Sequence, residues 1–142
     1  MNLPTPRPGL VLHYNYLWRH QAQEHRDHGP YSRPCAIVIA VTREDGRTQV
    51  VLAPITHMAP RDSTHGVEVP PAVKSYLGLD DRRSWAITND LNLCEWPSPD
   101  IEPIPAGSKA GQFEYGMLPP KLYDRIRRQI LAYPVSPTPR PG

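Results

Sequence analysis

Apolar residues along this chain come in short, dense runs separated by polar, turn-forming segments. Residues 9–18, GLVLHYNYLW, start at a glycine and partly alternate, with Leu10, Leu12, Tyr14 and Tyr16 on one side, which predicts a first strand. Residues 34–42, PCAIVIAVT, form a nearly continuous β-branched run, the pattern of a fully buried strand. A second such run, TQVVLAPIT (48–56), follows REDGR (43–47), whose Asp-Gly pair signals a turn. The two runs predict a hairpin. With its turn centred between Asp45 and Gly46, residue 34 pairs near residue 57, and Arg33 comes beside Thr56 and His57 at the open end.

The remaining segments are shorter. RHQAQEHRDHGPYSR (19–33) has no strand period, many charges and a Gly-Pro break, so it reads as a long polar loop with room for one helical turn. Residues 57–66 read as loop and VEVP (67–70) as a short strand. In PPAVKSYLGLDD (70–81) the prolines open a short helix and Gly78 closes it. SWAITNDLNLCEWP (84–97) reads as two short strands around Asn89 and Asp90, and 98–112 as loop. LPPKLYDRIRRQILAY (118–133) is the best helix, with Leu118, Leu122, Ile126, Ile130 and Tyr133 along one face. Five to seven short strands, a short inserted helix and a C-terminal helix predict a mostly β, mostly antiparallel small barrel or curled sheet.

Composition narrows the class. The chain has 142 residues, which suits one domain, here 9–133. The nineteen prolines argue against long helices, and seven of them fall in two short ends expected to lack structure, 1–8 and 134–142. A net charge of +2 excludes a polybasic nucleic-acid coat. No apolar run approaches the roughly 20 residues of a membrane span, and the N-terminus lacks the order of a signal peptide. Cys35 and Cys94 sit in apolar, strand-like surroundings and read as reduced, buried hydrophobes, so a cytoplasmic protein without membrane association is expected.

Candidate chemistry gathers around the hairpin. Residues 19–33 carry His20, His25 and His28 with Arg19, Arg26 and Arg33, against only Glu24 and Asp27. A solvated loop accounts for them, and no HExxH or CxxC spacing accompanies them, so no metal is assigned. A cationic, imidazole-rich loop also suits a phosphodiester partner, because Arg pairs with phosphate in a fork and His moves protons near neutral pH. Arg33 precedes Pro34 and a buried strand, which makes it either a strand-edge solubility device or a fixed phosphate clamp. On RNA, Arg33 would stabilise charge on the phosphoryl oxygens, Thr56 would donate a hydrogen bond, and a base would take the 2′-hydroxyl proton. Tyr14, Tyr16, Trp18 and Tyr31 flank this end as core packing or as stacking platforms for single-stranded bases.

Taken together, the glycine-started strand, the long polar loop, RPCAIVIA, VVLAPITH and VEVP resemble the toxins of the MazF/PemK family of type II toxin–antitoxin systems. TNDLNLCEW (88–96) also resembles a later strand of that family, and the likeness covers residues 9–97 plus a terminal helix. The resemblance implies an SH3-like barrel, a homodimer, and metal- and cofactor-independent, sequence-selective cleavage of single-stranded RNA that inhibits growth. It also implies a cognate antitoxin that enters the RNA groove, and operator DNA reached through the toxin–antitoxin complex. The family's catalytic arginine falls on Arg33 and its PIT threonine on Thr56. A glutamate found in some members falls on His28, and an aspartate falls on Asn89 with Asp90 next to it. The catalytic set expected is therefore Arg33, Thr56, His57 and His28, with Arg19, His25, Arg26, Tyr31, Asn89 and Asp90 as RNA contacts. The inserted helix and the proline-rich tail are not typical of the family. The other reading is a non-catalytic member that binds DNA, an antitoxin or a protein target such as gyrase.

Overall fold

The computed structural model describes residues 3–27, 29 and 31–140. Among these, eight strands form one curled, mostly antiparallel half-barrel sheet carrying three short helices. In chain order they are β1 (Leu10–Asn15), α1 (Arg19–Gln23), β2 (Ser32–Thr42), β3 (Thr48–Thr56), β4 (Gly66–Val69), α2 (Pro71–Leu77), β5 (Ser84–Ile87), β6 (Asn92–Trp96), β7 (Glu114–Met117), α3 (Pro120–Ala132) and β8 (Thr138–Pro139). The sheet runs β4-β5-β3-β2-β1-β7, and β6 also pairs with β3.

The apolar runs fold this way because β1, β3 and the middle of β2 are buried on both sides. The end of the β2 run, expected to be fully buried, is exposed at Ile39 and Val41, beyond the part that the sheet and α3 cover. Val11, Ala36, Val38, Val51, Ala53 and Ile55 point into one cluster, which α3 closes with Leu122, Ile126 and Ile130 at fourfold spacing. Their neighbours Leu10, Leu12, Tyr14, Cys35, Ile37, Val50 and Leu52 point into a second cluster, capped by Leu3, Trp96 and Phe113. Tyr133, expected on the buried face of the terminal helix, is its exposed C-cap. No helix among the described residues is long and apolar enough to cross a membrane.

Two further expectations, the hairpin register and the loose tail, differ from the structure. The β2–β3 hairpin pairs Thr42 with Thr48 across a five-residue loop, and an irregularity between Ile37 and Ile39 shifts the register once more. Cys35 consequently faces Pro54, and residue 34 does not face residue 57. Continued outward, that register sets Arg33 opposite Thr56, with His57 just past the end of β3. The segment 19–33 holds one short helix, α1, in the loop where room for a helical turn was expected.

The proline-rich tail is also not loose. Its β8 lies parallel to β6, with Thr138 N–H donating to Leu91 O (2.8 Å) and Arg140 N–H to Leu93 O (2.9 Å). Arg140, just past this strand, enters the protein with its side chain fully buried against Asp100 (3.1 Å). The same guanidinium donates to Asn15 O (2.6 Å), Asn92 Oδ1 (3.0 Å) and Asp27 O (3.0 Å). A buried cation needs such partners, so the tail closes the domain.

Candidate functional site

Arg33 stands at the start of β2, paired with Tyr14 of β1, so two strands fix its backbone. Its guanidinium lies over the Trp18 indole, 5.1 Å from the ring centre, and its buried Nε has no hydrogen-bond partner among the described residues. Stacking on an aromatic face holds an arginine in place while leaving its in-plane N–H groups for an acceptor. Thr56 ends β3, where β5 pairs with it through Trp85. Its hydroxyl oxygen accepts a 3.3 Å bond from Met58 N–H, so the hydroxyl proton is left to donate elsewhere.

These two residues sit at the meeting point of two depressions. One, of about 730 Å³, is lined by Arg33 and Thr56 together with His57, Asp80, Arg82, His13, Tyr115 and Ser32. The other, of about 710 Å³, is lined by Arg33 and Thr56 with Trp18, His20, Arg61, His65, Ile87 and Asn89. Met58 also borders both and is largely exposed. The result is a two-lobed groove with a cation and a hydroxyl at its waist.

In the first lobe, His57 belongs to a chain of polar contacts. Its Nε2 lies 2.7 Å from Asp80 Oδ2. The other carboxylate oxygen, Oδ1, accepts from Lys74 Nζ (2.9 Å) and from Arg82 N–H (3.1 Å). Lys74 projects inward from α2 and is 3% exposed. Partial burial pushes the Asp80 carboxyl up, but the hydrogen bonds from Lys74, Arg82 and His57 outweigh it and hold Asp80 below the ordinary aspartate value.

A second pair lies across the same lobe. His13 Nδ1 and the Tyr115 hydroxyl are 2.8 Å apart, and both residues are buried. Burial lowers the His13 imidazole, with the charge of Glu102 opposing, and burial pushes the Tyr115 phenol up to about 12. A phenol held protonated beside an imidazole fixes a hydrogen-bonded pair on the groove wall. Glu102 in turn accepts from Ser32 Oγ.

Of the residues expected from the sequence, Arg33, Thr56 and His57 come together in one lobe, and Asn89 lines the other. Asp90 is committed elsewhere. Its carboxylate accepts from Tyr16 Oη (2.7 Å) and from Arg19 N–H (3.2 Å), where it pins the start of α1. The Arg19 guanidinium donates to Ser136 O, and Arg26 pairs with Glu24 at the surface. His25 and Tyr31 are exposed, and neither they nor Arg19 and Arg26 line either lobe. His28 lies outside the described residues.

Sequence reasoning missed Asp80, Lys74, His13 and Tyr115. His13 carried a signal, as a polar residue inside a strand otherwise apolar from Leu10 to Tyr14. The Lys74–Asp80–His57 contacts depend on a helix folding back against a strand end, which spacing alone does not reveal. Among the described residues no group of three or more His, Cys, Asp or Glu side chains forms a metal-holding cluster. No protein-family model, curated protein or solved structure matches the chain.

Proposed function

We propose that the groove binds single-stranded RNA and cleaves it, and that the protein acts as a growth-inhibiting, sequence-selective endoribonuclease of the toxin–antitoxin type. The observation that carries this reading is the waist shared by the two lobes, where Arg33, stacked on Trp18 with its Nε unpartnered among the described residues, adjoins Thr56. A phosphate at the waist would meet the guanidinium fork and the threonine hydroxyl, and the flanking nucleotides would extend into the two lobes.

Cleavage needs no group beyond the chain and the substrate. The RNA 2′-oxygen forms a bond to phosphorus as its proton passes to a base in the first lobe, for which His57 is the candidate. The bond from phosphorus to the 5′-oxygen breaks, and that oxygen takes up a proton from solvent water. Arg33 stays charged throughout and offsets the negative charge that grows on the phosphoryl oxygens.

Three partners belong to this reading: a second copy of the chain, a cognate antitoxin whose flexible segment occupies the groove, and operator DNA bound through that complex. Incubating the purified chain with a long, unstructured RNA tests the activity. Discrete fragments that vanish with Arg33→Ala support it, and RNA left intact by antitoxin-free protein refutes it. Growth arrest that persists with both Arg33→Ala and Thr56→Ala would assign the protein to binding without catalysis.

A further inference from the structure

We propose that Lys74 and Asp80 are positioning residues that set His57 as the proton acceptor of the groove, with Nδ1 as the accepting atom. The proton-acceptor role rests on the nuclease reading, while the orientation of the ring rests on contacts alone. A carboxylate oxygen can only accept, so the 2.7 Å contact of Asp80 Oδ2 with His57 Nε2 places the ring proton on Nε2. In the neutral imidazole the lone pair then lies on Nδ1.

Lys74 explains why Oδ2 serves the ring. Lys74 Nζ and Arg82 N–H both donate to Oδ1, so the carboxylate is clamped by one oxygen and presents the other. The ammonium is almost fully buried, and such a group keeps its charge only beside a partner. Gly78 makes the clamp possible. It closes α2 with φ 74, in the left-handed region that costs glycine nothing, and the chain reverses so that Asp80 returns to Lys74.

The charged and titratable groups around the ring come from several elements. Asp80 touches it, Lys74 acts through Asp80, and Arg33, Arg82, His13 and Tyr115 line the same lobe. When Nδ1 takes the 2′-hydroxyl proton, the 2′-oxygen forms its bond to phosphorus, the 5′-oxygen leaves, and the new positive charge on the ring faces the Asp80 carboxylate. The inserted helix, residues 70–78, and the reversal after it thus equip the end of β3 with an oriented base.

The test uses the full chain labelled with ¹⁵N, at alkaline pH. Two-bond couplings assign the tautomer of His57, with His57→Gln identifying its signals. The unaltered chain should show Nε2 protonated and Nδ1 bare. Asp80→Asn should mix the tautomers, because its amide donates as well as accepts. On RNA, Asp80→Asn should lower kcat roughly tenfold or more with KM little changed, and Lys74→Met should add nothing in the Asp80→Asn background.

A dominant Nδ1-protonated tautomer, or an Asp80→Asn chain with unchanged tautomer and unchanged kcat, would overturn the proposal. Equally, a full additional loss from Lys74→Met in the double variant would show that Lys74 does not act through Asp80. If no form cuts RNA while the tautomers behave as expected, the nuclease reading and the acceptor role fail together, and the orientation of His57 stands.

Discussion

The guanidinium of Arg33 lies 5.1 Å from the centre of the Trp18 ring, with its Nε buried and without a hydrogen-bond partner among the described residues. An indole face holds the cation without consuming its donors, so the group is presented ready for an anionic ligand. Lysine cannot reproduce either the stacking or the planar fork. Arg33→Lys is therefore expected to lose cleavage nearly as fully as Arg33→Ala, by roughly 10²- to 10³-fold in kcat, the effect of removing a charge-stabilising donor. Trp18→Leu should lose less, about tenfold. Initial rates on one RNA across the three variants check the order, and full activity in Arg33→Lys would contradict it.

Arg140 and Asp100 form an ion pair 3.1 Å apart that is almost entirely shielded from water. Removing one member strands a buried charge, which costs about 3–5 kcal/mol. Arg140→Met should lower the unfolding free energy by an amount of that order, measured by urea denaturation. It should also speed amide exchange around Asn15 and Asp27, whose carbonyls accept from the same side chain. A change below about 0.5 kcal/mol, the size expected of an ordinary surface substitution, would refute the docked tail.

Tyrosine burial sets an alkaline limit. Burial is the first cause of the raised phenols of Tyr14, Tyr16 and Tyr115, and Tyr115 reaches about 12. Each phenol holds its proton more tightly folded than unfolded, so its contribution is complete below about pH 10 and is lost as pH rises past that value. For Tyr115 the loss runs from about pH 10 to about 12. Unfolding midpoints in urea should fall steeply across this window. Tyr115→Phe should flatten the fall by about 1 kcal/mol per pH unit, and parallel curves would contradict the assignment.

Cys35 and Cys94 are both free and buried, and burial raises both thiols. The thiolate is the reactive form, so neither should react with a disulfide reagent while the protein is folded. Thiol release followed over a urea series should track unfolding. Rapid labelling of the native chain would show that the second core cluster is open.

Much of the hairpin was legible because its strands carry continuous β-branched runs, and the pairing of β2 with β3 follows from them. The exact register was not. An apolar run that is continuous through both buried and exposed positions has no alternation to mark its phase, so the irregularity between Ile37 and Ile39 leaves no trace in the residue pattern. Arg33 and Thr56 still came together, since the shift moves the strand end by only two residues. The tail misled for a related reason. Its prolines cannot donate, which suggested disorder, but Thr138 and Arg140 alternate with Pro137, Pro139 and Pro141. All the available N–H groups therefore face one side, and β6 accepts them through Leu91 O and Leu93 O. Asp80 and Lys74 carried no pattern of their own, because only the reversal at Gly78 brings them to His57.

The central claim is that the groove around Arg33 and Thr56 cuts RNA by attack of the 2′-oxygen. The most direct measurement incubates the purified chain with a long single-stranded RNA in EDTA and maps the new ends by sequencing. A matched oligonucleotide carrying one 2′-deoxy sugar at the mapped position is run beside it. The account predicts cleavage at defined sites, 5′-hydroxyl ends, no product from the 2′-deoxy substrate and none from Arg33→Ala. RNA that stays intact with the unaltered chain, or a 2′-deoxy substrate cut at the same rate, would contradict it.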